Sequence, residues 1–255
     1  TEIYTLSLHD ALPIFDHWLL QRAGASIHTH EVKQIRQDNG AFIIDDRYRC
    51  DYLVGSGGTH CPVQRTFPSL SPRRKTQLVA TLEEEFPYDY SDRRCHLWFF
   101  FNQLPGYAWY VPKRNGHLNI GIGGYLEKLQ SQSDTILHHW QLFINELERR
   151  GLIKNHPFHE KGYVYYTRNT PPAQRHGRLF LIGDAAGLAT RDMGEGIGPA
   201  VHSGLLAAEA IASGKPLSLH SVKSHSFSRW HVAQALLIGL CKRNYQTTSI
   251  INSTT

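Results

Sequence analysis

Apolar and polar positions alternate along the middle of this chain, and apolar residues recur at helical spacing on either side of it. Phe15, Trp18, Leu19 and Leu20 share one face of a short helix predicted over residues 15–23. Residues 26–37 and 41–45 flank Asp38-Asn39-Gly40, and Asn-Gly between two such runs predicts a hairpin. Residues 51–54 read as a strand entering the glycine turn Gly55-Ser56-Gly57-Gly58. Between residues 77 and 166 the pattern predicts strands at 77–84, 95–101, 108–111, 118–123 and 162–167. They are clustered and turn-bounded, as in an antiparallel sheet. One helix interrupts them: Ser133 and Asp134 offer the cap, Ile136, Leu137, Trp140, Phe143, Ile144 and Leu147 form its face, and Gly151 stops it. Beyond Thr170-Pro171-Pro172 comes an apolar strand, residues 179–182, and then a small-residue helix through Ala200, Ser203, Gly204, Ala207 and Ala208.

The link between that strand and helix carries the most chemistry. It reads Gly183-Asp184-Ala185-Ala186-Gly187, then Met193-Gly194-Glu195-Gly196-Ile197. Glycines let backbone approach a ligand closely, and the open amides of a helix start favour negative charge. A lone Gly-Asp is no more than a helix cap. The whole ordered run, from strand to Ser203-Gly204 and Ala207-Ala208, predicts a site for a large polar cofactor.

This run resembles the second flavin-contacting motif of FAD-dependent oxidoreductases of the hydroxylase and geranylgeranyl reductase kind. The resemblance implies that Asp184 holds a ribityl hydroxyl. It further implies that Gly183, Ala185, Gly187, Gly194, Gly196 and Ile197 bring backbone to FAD. A second stretch, Gly106-Tyr107-Ala108-Trp109-Tyr110-Val111-Pro112-Lys113 followed by Gly121-Ile122-Gly123, is similar to the reductase pattern Tyr-x-Trp-x-Phe-Pro…Gly-x-Gly, with Val111 in place of Phe. Alternate strand residues share a face, so Tyr107, Trp109 and Val111 project together. With Pro112, Gly121 and Gly123 they are expected to wall an isoprenoid slot; ordinary core packing of the aromatics is the competing reading. In a third stretch, residues 51–65, Gly57 stands where the family has Asp, and Cys61 lies near the family's Ser. Cys61 is a candidate proton donor or a buried structural thiol.

The implied fold is α/β (α+β): an incomplete Rossmann-like FAD-binding domain at 15–69 and 171–255, with an inserted antiparallel-sheet substrate domain at 70–170. The resemblance covers most of residues 15–210. It lacks the opening Gly-x-Gly-x-x-Gly that would cradle the pyrophosphate. Residues 1–14 read like a translated sequencing adapter. The chain as given is therefore expected to be N-terminally truncated and to bind FAD weakly.

Composition narrows the class without naming it. The chain has 255 residues, 41% hydrophobic and 19% charged, as in a globular protein. Its formal net charge is +5, and dropping Glu2 and Asp10 leaves 27 basic against 20 acidic residues, or +7. That excess suits an anionic cofactor, but the basic clusters lack interleaved aromatics, so no nucleic-acid partner is expected. Four cysteines without a Cys-x-x-Cys pair fit a reducing, cytoplasmic compartment. The histidine pairs lack the context of a metal site, so no metal is expected. Residues 232–241, apolar between basic flanks, fit a core helix or a peripheral membrane contact.

The expected activity is reduction of isoprenoid double bonds by hydride from reduced FAD, with NAD(P)H or ferredoxin as external reductant. Two alternatives stay open. One is a flavin-dependent halogenase or monooxygenase, because residues 106–112 are also close to the halogenase stretch Gly-Trp-x-Trp-x-Ile-Pro. The other is a non-catalytic prenyl-lipid-binding flavoprotein.

Overall fold

The computed structural model describes residues 11–113, 116–168 and 177–227. The predicted segments at 170–172 and 232–241, and residues 1–10 of the adapter-like stretch, lie outside the described residues.

Helix α1 (Ala11–Arg22) begins earlier than the pattern predicts. On the predicted apolar face, Trp18 and Leu19 remain 49% and 39% exposed. A three-stranded antiparallel meander follows: β1 (Ile35–Asp38), β2 (Ala41–Ile44) and β3 (Tyr48–Cys50). Its first turn is the predicted Asn39-Gly40, both left-handed, as a two-residue hairpin requires. Next, β4 (Leu53–Gly55) enters the glycine turn, and the short helix α2 (Pro62–Thr66) carries Val63 inward.

The antiparallel sheet is built from β5 (Leu78–Pro87), β6 (His96–Phe99), β7 (Gly106–Lys113), β8 (His117–Tyr125) and β9 (Lys161–Tyr166), in the order β6-β7-β8-β5-β9. β5 runs past its predicted end at residue 84, and the carboxylates there find partners. Glu84 accepts from the His159 amide at 2.6 Å, and Glu85 pairs with Lys113. Between β8 and β9 lie α3 (Leu126–Ser131) and α4 (Ile136–Arg149). The cap of α4 falls one residue later than predicted: the Thr135 hydroxyl accepts from the His138 amide at 3.1 Å.

Residues of one parity, Ala108, Tyr110, Leu118, Ile120, Ile122 and Phe86, face α4 and close a core with Trp140, Phe143 and Leu147. The other parity faces away from α4 and carries Tyr107 and Trp109. A second core joins Ile35, Phe42, Leu53, Cys61 and Val63 to Leu179, Leu181, Ala185 and Leu188. It forms around β4 and β10 (Leu179–Leu181), which run parallel with Leu53 opposite Leu179 and Gly55 opposite Leu181. The last element is α5 (Ile197–Ser213), ended by left-handed Gly214. Among the described residues no helix is long and apolar enough to cross a membrane, and no side-chain cluster could hold a metal.

Candidate functional site

β10 runs through Ile182 into Gly183, and α5 packs directly against that turn. Ser203 of α5 accepts a hydrogen bond from the Gly183 amide at 3.0 Å. A Cβ on Gly183 would stand 3.2 Å from Ala200 Cβ, so the small residues of α5 are what let helix and strand end meet. Gly183 and Gly187 are left-handed at φ 52° and 63°, where a side chain is strained. The turn between them puts Asp184 at its tip and packs Ala185 and Ala186 into the core.

A cavity of about 970 Å³ lies between this turn and the open face of the sheet. That is near the upper end of the range for small-molecule sites. Gly183, Asp184, Gly194, Gly196 and Ile197 line one wall, and Tyr107, Trp109 and Gly123 line the other. The structure thus brings the two predicted constellations face to face. It does not bring Val111, Pro112, Gly121, Ala185 or Gly187 to the cavity surface. Val111 shares the Trp109 face but sits one pair further along the strand, opposite Asn119, and Pro112 has the core-facing parity. Gly121 lies beneath the Trp109 indole, and Gly187 backs onto Tyr166. Cys61, a candidate donor or a buried structural thiol in the sequence, is 1% exposed and belongs to the β4 core, lining a separate, smaller pocket with Gly57.

Asp184 is the electrostatic anomaly of the site. Its Oδ1 is buried with no hydrogen-bond partner. Burial pushes its carboxyl above the ordinary value, and the Arg73 cation only partly opposes this. Leaving a buried acceptor unmatched costs about 1–3 kcal/mol, and a hydroxyl donor on a ligand in this cavity would remove that cost. A Cβ at Gly196 would come 3.3 Å from that same oxygen, so glycine keeps the approach clear. At the start of α5 the Gly198 amide is taken by the Glu195 carboxylate at 2.6 Å. The amides of Gly196 and Ile197 make no hydrogen bond within the described residues. A buried acceptor, two free amides and unobstructed glycine backbone in one wall fit the polyol and the polar ring edge of a flavin.

The sheet wall is held as firmly. The Trp109 Nε1–H donates to Asn119 Oδ1 at 2.6 Å. The Tyr107 hydroxyl donates to the Met193 carbonyl at 2.7 Å, so its polar handle is already spent on the opposite wall. Burial raises the Tyr107 phenol above its ordinary value, with the Asp192 and Glu83 charges adding to it. Burial likewise pushes Tyr165 far up.

Several lining residues escaped the sequence reading: Thr81 and Glu83 on β5, Tyr125 closing β8, Tyr163 and Tyr165 on β9, and Phe227. The signal existed for the strands, since Thr81/Glu83 and Tyr163/Tyr165 hold the same parity. Only the strand order tells which parity faces the cavity.

No family model matches the chain. An uncharacterized protein of Methanosarcina barkeri is 31% identical over 228 residues, covering 84% of this chain and 53% of that protein. A digeranylgeranylglycerophospholipid reductase of Thermoplasma volcanium is 32% identical over 131 residues, covering 48% of this chain and 28% of that enzyme. The chain therefore spans about half of the first relative (53%) and little more than a quarter of the second (28%). Among solved structures, a geranylgeranyl bacteriochlorophyll reductase-like protein of Thermoplasma acidophilum superposes with a TM-score of 0.63 at 21% identity, over 80% of this chain and 54% of that one. A flavin-dependent halogenase superposes with a TM-score of 0.56 at 15% identity, over 79% and 40% of the two chains. These likenesses establish the fold as that of the FAD-dependent oxidoreductases.

Proposed function

The chain resembles geranylgeranyl reductase-like FAD-dependent oxidoreductases in sequence and fold, and from that kinship we propose that it reduces isoprenoid double bonds. The observation that carries the reading is the unpartnered Asp184 Oδ1, buried in a wall of free backbone opposite an aromatic sheet. Asp184 would accept from the cofactor's polyol chain. The Gly196 and Ile197 amides, at the positive end of α5, would face the ring edge that gains negative charge on reduction. Bound FAD would supply hydride chemistry, renewed by an external reductant such as NAD(P)H or ferredoxin.

The protein's own contribution is position and exclusion of water. Val79, Tyr107, Trp109 and Tyr165 offer flat, apolar surface for an alkene. Trp109 cannot rotate away without losing Asn119.

The test uses protein expressed from its whole reading frame, reduced anaerobically and incubated with a geranylgeranyl lipid. The product should gain paired hydrogens by mass spectrometry, and Trp109→Ala should slow that gain. Oxygen consumption with a halide-dependent product would favour the halogenase reading instead. Bound flavin that no donor reduces would favour a non-catalytic prenyl-lipid binder.

A further inference from the structure

The loop 190–196 is stitched internally. The Thr190 amide donates to the Glu195 carbonyl at 2.9 Å, and the Gly194 amide returns to the Thr190 carbonyl at 2.9 Å. The Asp192 carboxylate accepts from the Ser226 and Phe227 amides at 2.8 and 2.9 Å. The Arg191, Met193 and Glu195 amides are taken as well, by Ser224 O, Asp192 Oδ1 and Thr190 Oγ1, and two of the loop's carbonyls meet the sheet. The Tyr107 hydroxyl donates to Met193 O and the Tyr125 hydroxyl to Arg191 O, each at 2.7 Å. The two tyrosines come from paired strands, with Gly106 opposite Gly124. Gly194 lies against the half-buried Tyr165 ring, where a Cβ would stand 2.9 Å from Cζ, so the loop has no room to settle deeper.

We propose that Tyr107 and Tyr125 are positioning residues that clasp this loop to the sheet, and so fix where the Gly196 and Ile197 amides stand. Resting on the flavin reading above, this makes the cofactor wall and the substrate wall one mechanical unit. Tyr107 serves both, its ring lining the cavity while its hydroxyl holds the loop. Tyr→Phe removes each clasp and keeps each ring.

Hydrogen exchange on the chain without cofactor gives the first readout. Amides of 191–195 should exchange about fivefold faster in Tyr125→Phe, and about twenty-fivefold faster in the Tyr107→Phe/Tyr125→Phe pair, the factor expected for a typical lost hydrogen bond. Peptides from β7 and β8 should keep their protection. Unchanged loop exchange, or equal acceleration throughout the sheet, would overturn the proposal. The second readout is the flavin midpoint potential of loaded protein, which Tyr125→Phe should lower, because misplaced amides stabilise the reduced ring less. Faster loop exchange with an unaltered potential would also overturn it. If the parent protein takes up no flavin, the flavin reading fails by itself, and the exchange result still decides the clasp.

Discussion

Gly121→Ala is a substitution whose cost can be worked from the structure. Gly121 is buried and has an ordinary backbone conformation, so no strain is intrinsic to an alanine there. The added methyl would lie 2.5 Å from Trp109 Cε2, 2.8 Å from Cη2 and closer still to Cζ2. Ordinary carbon contacts fall near ~3.5–4.0 Å, so the indole must move by about 1 Å or more. It is tethered by the 2.6 Å bond to Asn119, whose amide in turn donates to Glu85, the partner of Lys113. Overpacking plus the lost bond sum to about 2–3 kcal/mol. For a chain of this size that lowers the melting temperature by about 5–10 °C. Thermal unfolding followed by circular dichroism measures it, and tryptophan emission should shift as the indole is pushed into the cavity. A variant melting within about a degree of the parent, with unchanged emission, would refute the claim that Gly121 serves to seat Trp109.

Asp184→Asn should stabilise the protein without cofactor by about 1 kcal/mol at neutral pH, since it removes an unmatched buried charge. The sign follows from its raised carboxyl value: the folded state prefers the protonated form, so stability falls as pH rises through that value, and the gain should vanish in acid, where both states are neutral. Glu146→Gln should act in the opposite sense. Hydrogen bonds from Arg149 and Arg150 hold Glu146 at about 2, so its contribution is present above the ordinary carboxylate range and lost as pH falls toward that value. With both arginines largely exposed, the loss at neutral pH should be about 0.5 kcal/mol, read by urea denaturation. Thiol labelling of folded protein should modify exposed Cys95 and leave Cys61 unreacted until unfolding; prompt labelling of Cys61 would restore it as a candidate donor.

What was legible in the sequence was local. Asn39-Gly40, the Trp140–Leu147 face and the Gly183–Gly187 turn each declare themselves because their requirements are met by neighbouring residues, whereas Leu137, predicted on that face, is exposed. Tyr107 and Trp109 were legible as a shared face, but their partners were not. Tyr107 meets Met193 across 86 residues, and Trp109 meets Asn119 only once β7 and β8 find register. Glu83, Tyr125 and Tyr165 were missed for the same reason, since membership of the cavity is set by strand order. Val111 was misplaced because a family motif gives sequence position and not the direction of a side chain. The unmatched state of Asp184 Oδ1 is visible only when every nearby donor has a coordinate.

The most direct test of the flavin assignment is the visible spectrum of protein purified from its whole reading frame, beside an Asp184→Ala variant that keeps its fold by circular dichroism. The parent should carry flavin absorbance at near-equimolar ratio, and the variant should lose most of it. A colourless parent that takes up no added FAD, or a variant that binds it as well as the parent, would contradict the account.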